Sequence, residues 1–145
     1  MQRVAIVSYA ASREAFQALL ECTYQLNCLY LQNAPDCPAL YESGVRFEPE
    51  DRDCDDGTCK EERFCTIPIV LAARVGDCDD LAPWRAAELT VRHGITSIPL
   101  IVPVGPRSWH VLVRRSDGQF EDPSAVLGMH EYNARRKIRR APGRL

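Results

Sequence analysis

Apolar side chains recur at Phe16, Leu19, Leu20, Thr23, Leu26 and Tyr30, with Thr23 the one weakly polar member. That spacing follows the 3.6-residue period of an amphipathic helix, so residues 13 to about 31 are predicted helical. Ser12 supplies an N-cap and Glu14 suits the positive end of the helix dipole. Asn33, Pro35 and Pro38 end the segment. Ahead of it, the β-branched run Arg3 to Tyr9 predicts a short strand. A second helix is predicted over Asp77 to Arg92. Asp77 is its cap, Asp79 and Asp80 lie in its first turn, and His93-Gly94 is its stop. Cys78, Ala82, Ala86 and Leu89 share one face there, small enough to lie close to a sheet. Pro83 falls beyond the first turn, where it removes a backbone hydrogen bond. The helix therefore either kinks at Pro83 or begins its regular part nearer Asp80.

The period then shortens to two. Ile98 to Val104 is a candidate strand whose prolines, Pro99 and Pro103, favour an edge. Gly105-Pro106-Arg107 is a turn. Ser108 to Arg115 is the next strand, Ser116-Asp117-Gly118 a turn, and Gln119 to Asp122 a third strand that Pro123 stops. A three-residue loop pairs Arg115 with Gln119 and sets Asp122 opposite Leu112, on the face of His110 and diagonal to it. Diagonal neighbours lie roughly 7–8 Å apart at the backbone, within reach of an imidazole and a carboxylate. Such a loop wants glycine with positive φ at its third place, and Gly118 is there. Between the two helices, residues 35 to 66 carry Pro35, Pro38, Gly44, Pro49 and Gly57 and predict loops with few regular elements. Ile67 to Arg74 reads as a short helix or an extended piece.

The chain has 145 residues, of which 46% are hydrophobic and 26% charged, with a net charge of -2. These values fit one soluble globular domain, 1-145, and exclude a collagen, a coiled coil or a disordered tail as the whole. The run Ile95 to Pro106 is too short to span a bilayer, and no signal peptide is evident at the N-terminus. A cytoplasmic, reducing compartment with free thiols is therefore expected. The charge is uneven. Residues 1 to 80 hold 7 Lys and Arg against 15 Asp and Glu, and residues 81 to 145 hold 11 against 5. The acidic excess sits around residues 48 to 62 and the basic excess in the tail, residues 131 to 145. So short a basic run reads first as a frayed, solvated terminus; any contact with nucleic acid would be through it alone.

Three residues fall in an order that carries chemistry: Cys78 at a helix start, His110 in a strand, Asp122 at the end of the following strand. A thiol attacks as its thiolate, which a helix N-terminus and a histidine both favour. A carboxylate holds the tautomer and orientation of such a histidine. Asp77, Asp79 and Asp80 act against this, since negative charge beside a thiol raises its pKa. Protonated His110 must outweigh them, or some must point away. The backbone N–H of Cys78 is a candidate oxyanion donor.

The motifs GDCDDLA, WHVLVR and EDPS resemble the transglutaminase-like branch of the papain-like cysteine enzymes, over roughly residues 66 to 126. The longer pattern, with YESGVRFEPE and DPSAVLGM, also resembles small proteins encoded in phage and prophage genomes. The first resemblance implies an α+β papain-like fold, with a nucleophile helix packed on a small antiparallel sheet. It implies Cys78 as nucleophile, His110 as general base and acid, and Asp122 as orienting carboxylate. The activity implied is acyl transfer on an amide of a protein or peptide, by hydrolysis or by transglutamination, without cofactor. The second implies the cytoplasm of an infected bacterium. Three features depart from the pattern: Pro83 in the nucleophile helix, the acidic segment around Cys54 and Cys59, and the missing aromatic residue on the oxyanion side. Phe64 and Tyr30 match that aromatic by type alone.

Other residues have plainer readings. Trp84 and Trp109 suit core or groove packing, His93 a helix end, His130 the surface. Cys37, Cys54, Cys59 and Cys65 could offer zinc four thiolates, but their spacing lacks a CxxC knuckle. Asp51, Asp53, Asp55 and Glu62 approach a calcium loop, but its glycine falls one place late, at Gly57. A solvated acidic loop, with at most one incidental disulfide, is the expected state, and no metal is assigned. The rival to an enzyme is a binding or assembly module on the same fold, serving phage morphogenesis; such a module needs no intact triad.

Overall fold

The computed structural model describes residues 5–9, 12–49, 61–106 and 108–140. Strand β1 (Ala5–Tyr9) precedes helix α1 (Arg13–Asn33), which Ser12 caps by accepting a hydrogen bond from the Ala15 N–H at 3.1 Å. Leu20, Tyr24, Cys28 and Leu31 form the buried stripe of α1 and enter the core. The connection that follows is mostly irregular, as its prolines and glycines require. It holds a 3-10 turn at Leu40–Glu42 and a two-residue strand, β2 (Arg46–Phe47). The sequence reading missed strand β3 (Glu61–Cys65), which pairs antiparallel with β1, Ala5 opposite Cys65 and Tyr9 opposite Glu61. A strand carrying Glu61, Glu62 and Arg63 has no apolar alternation to announce it, and its partner is over fifty residues away.

Helix α2 (Ile67–Ala73) begins on a Thr66–Ile67–Pro68 entry and ends at Arg74 in the left-handed region. Strand β4 (Val75–Gly76) pairs parallel with β2 and leads into α3 (Cys78–His93). Here α3 starts at Cys78 and runs unbroken through Pro83, so a regular start nearer Asp80 is excluded. Asp77 and Asp80 make a reciprocal capping box that holds the first turn despite the proline. Gly94, at φ 66°, closes the helix. Leu81, Ala82, Trp84, Ala86 and Ala87 are fully buried, so α3 is the central helix, in contact with α1 and with the main sheet.

That sheet has the order β5 (Ser97–Pro103), β6 (Trp109–Arg115), β7 (Phe120–Glu121), all antiparallel. Helices α4 (Pro123–Val126) and α5 (Met129–Arg140) follow. β5 is an edge strand, and Pro99 and Pro103 sit on it as their missing N–H groups demand. The edge is blunted by α1. Gln17 donates to the Pro99 carbonyl and accepts from the Ile101 N–H, so an amide side chain stands where a neighbouring strand would. The mixed helix and strand content agrees with the α+β class. One expectation is corrected: through Arg140 the basic tail is a helix, not a frayed end. Of the two tryptophans, Trp84 is wholly buried in the core and Trp109 is 47% exposed.

Candidate functional site

The hairpin β6–β7 has the register that its loop chemistry requires. Val113 pairs with Glu121 and Arg114 with Phe120, Arg115 N–H donates to the Gln119 carbonyl, and Gly118 has φ 84°. Asp122 therefore lies diagonal to His110, and the two meet: His110 Nε2 is 2.9 Å from Asp122 Oδ2. Both are partly buried, with side chains 15% and 28% exposed. Asp122 is also the N-cap of α4, where its Oδ1 accepts from the Ala125 N–H at 3.3 Å. Burial by itself would raise the Asp122 pKa. The hydrogen bond and charge of His110, with the backbone N–H donors of α4, outweigh burial and hold the carboxyl below its usual value. One carboxylate thus fixes both a helix start and an imidazole. With Nε2 committed to Asp122, Nδ1 is the ring atom left for other chemistry.

Cys78 is half-buried at the first position of α3. Its end of the helix can be placed against the sheet through two ties. Near the far end, the Ser97 N–H donates to Thr90 Oγ1, and Ser97 pairs with Arg115 at the end of β6. In the middle, Arg85 Nε is 2.9 Å from Glu121 Oε1, and Glu121 pairs with Val113. Helix and strand therefore run alongside in the same sense. Cys78 lies roughly 10 Å before Arg85 along the helix axis, at 1.5 Å per residue. His110 lies roughly 10 Å before Val113 along the strand, at about 3.3 Å per residue. Counted along their axes, Cys78 and His110 therefore lie a similar distance before these ties. On β6, the fully buried Val111 and Val113 occupy the face turned to the core, and His110 and Leu112 the half-buried opposite face.

The acidic crowd around Cys78 is arranged, not merely solvated. Asp77, Asp79 and Asp80 are all buried, and one oxygen of each lies within 4.8 Å of the others. Asp80 receives the Cys65 N–H at 2.8 Å and the Asp77 N–H at 3.3 Å, which tie β3 and the capping turn to α3. Asp79 is 2% exposed, and its Oδ1 has no hydrogen-bond partner. Burial, and then the neighbouring Asp77, push Asp79 and Asp80 well above the usual carboxyl range. Asp80 has N–H donors that favour its anion, and Asp79 Oδ1 has none, so of the two Asp79 has the less to oppose the upward push of burial. A proton there removes one negative charge from beside the thiol. These three carboxyls are also the side chains that could hold a cation among the described residues. Cys37 and Cys65 are buried, Glu62 falls in β3, and Cys54, Cys59, Asp51, Asp53 and Asp55 lie outside the described residues.

Sequence reasoning missed the group that seats β7. Arg85 bonds Glu121 and, at 2.6 Å, Glu88, while its guanidinium lies 4.7 Å from the centre of the Tyr41 ring. Tyr41 donates to Glu121 at 3.1 Å, and Glu88, 1% exposed, accepts the Leu40 N–H at 2.8 Å. The i, i+3 spacing of Arg85 and Glu88 on a helix was the available signal. The aromatic candidates separate by place. Tyr30 lies by Arg92, far along α3 from Cys78. Phe64 adjoins Cys65, which bonds Asp80, but it is fully buried with its ring against Phe16. Compared with known proteins, the chain matches no protein-family model, no curated protein and no solved structure.

Proposed function

We propose that the protein is a cysteine-nucleophile acyl-transfer enzyme acting on an amide of a protein or peptide, on a papain-like, transglutaminase-like arrangement of these elements. The observation that carries the reading is the 2.9 Å His110–Asp122 pair, in a chain whose α3 begins with Cys78. Asp122 orients the ring through Nε2, and Nδ1 serves the thiol. His110 takes the Cys78 proton, and the thiolate gains from the free N–H groups of the α3 N-terminus. Sγ adds to the substrate carbonyl, the Cys78 N–H receives the developing oxyanion, and the C–N bond breaks as His110 protonates the leaving amine. Water or a second amine then cleaves the thioester. Water makes the enzyme a protease or amidase, and an amine makes it a transglutaminase. Asp79, by keeping its proton, spares the thiolate one neighbouring charge.

The test needs no substrate. One alkylating reagent at neutral pH, read by mass spectrometry of the peptides, should modify Cys78 at least about tenfold faster than exposed Cys22. His110→Ala should abolish the advantage, and Cys78→Ala should leave no amidase or transfer activity. Labelling of Cys78 no faster than Cys22 in the folded protein would sink the proposal in favour of a binding module.

A further inference from the structure

Helix α5 carries Arg135, Arg136, Lys137, Arg139 and Arg140 against one acid, Glu131, in a chain whose net charge is -2. Arg135, Arg136 and Lys137 are exposed. Among the described residues, none of the three takes part in an ion pair or a side-chain hydrogen bond. Elsewhere the arginines that shape the fold are matched: Arg85 to Glu88 and Glu121, Arg115 to Asp117 and Glu121. Among the described residues, these three charges therefore take no part in the fold's ion pairs and stand ready for an anion outside it. Arg46 extends the same surface. Its guanidinium lies against Gly128 at the start of α5, where an added Cβ would come within 3.0 Å of it.

The surface also has shape. Glu48, Tyr132, Arg135 and Arg136 line a cleft of about 260 Å³. The Tyr132 ring meets Phe47 edge to face at 5.9 Å, and the Phe47 N–H donates to the Leu127 carbonyl, which seats the start of α5 on β2. The Tyr132 side of the helix is thus turned to the body of the protein. A membrane-surface helix must bury that side among acyl chains, so a lipid surface is the poorer fit. A duplex would use the charges and leave the aromatic cleft idle. A flexible single strand uses both, since its phosphates follow the cations and its bases stack on aromatic rings.

We propose that this face binds single-stranded nucleic acid. Arg46, Arg135, Arg136 and Lys137 take phosphates, and Tyr132 meets a base at the cleft. Glu48 opposes a phosphate in the same cleft and limits affinity. The proposal does not depend on the thiol chemistry.

The experiment is fluorescence anisotropy of a labelled oligothymidylate with the full chain, over a series of salt concentrations. Four phosphate contacts predict a slope of log affinity against log salt near about -3. Arg135→Glu with Arg136→Glu should weaken binding by at least about tenfold and flatten the slope, with helix content by circular dichroism unchanged. Glu48→Gln should tighten binding severalfold, an effect that a merely misfolded variant would not show. A duplex of the same length should bind more weakly. Salt-independent binding, no binding at low salt, a duplex preferred to the single strand, or phosphatidylserine vesicles captured through the same arginines in its place would each overturn the proposal.

Discussion

Asp79 and Asp122 are the same chemical group with pKa values shifted in opposite directions within one fold. Asp79 is buried in the first turn of α3 beside two more carboxyls, and its pKa is driven up by burial and then by Asp77. Asp122 is 28% exposed, is also penalised by burial, and still falls below its ordinary value because His110 and the first N–H groups of α4 face it. Burial acts in the same direction on both. The partner decides the outcome: an imidazole and N–H donors in one case, other acids in the other. The N-terminus of a helix is therefore not enough to lower the pKa of an aspartate: beside Cys78 the shift is upward, and behind the imidazole it is downward.

Breaking the Asp122 side should have the largest effect. Asp122→Ala removes both the imidazole's partner and the α4 cap. The rate of Cys78 alkylation at neutral pH should fall by at least about tenfold, and lost capping should cost about 1 kcal/mol in urea unfolding. An unchanged labelling rate would detach Asp122 from the thiol. Next in size is the support of β7. Arg85→Met leaves Glu88 buried and unpaired, and should cost about 3 kcal/mol, the range for removing one partner of a buried pair. Glu88→Gln in the same background should restore part of that loss. If the double variant were no more stable than the single one, the unpaired charge would not be the cause.

The smallest effect sharpens the Asp79 side. Burial raises the Asp79 pKa in the folded protein above the 3.8 of the unfolded chain. Its contribution to stability is thus complete below pH 3.8 and falls as pH rises from there toward the raised folded value. Asp79→Asn mimics the protonated form. It should be at least as stable as the parent at pH 8, by about 1 kcal/mol, and should flatten this decline. Asp122 has the opposite sign. Its pKa is depressed, so its contribution is present above 3.8 and is lost as pH falls through the lower folded value. Urea titrations of the two variants across pH 3 to 8 should diverge in opposite directions, and parallel curves would refute the contrast.

Much of the site was legible because it is local. Ser12 and the apolar stripe predict α1, Asp77 and Gly94 bound α3, and the Ser116-Asp117-Gly118 loop fixes a register that sets Asp122 beside His110. Each depends on residues a few places apart, where backbone geometry leaves few alternatives. Strand β3, the buried state of Asp79, the Arg85–Glu121–Tyr41 group and the unpaired cations of α5 were not legible. Periodicity cannot report them, since each depends on which distant segment arrives. β3 is a strand because β1 offers it a ladder, and Gln17 closes the β5 edge because α1 lies along it. The Asp79 pKa is raised because packing buries the carboxyl and brings Asp77, not a cation, to its side. The sequence by itself determined α1 and α3, the hairpin register and the order Cys78, His110, Asp122. Tertiary structure decided which charges are paired, protonated or left open to a partner, because the energy of a charge depends on the groups around it in space.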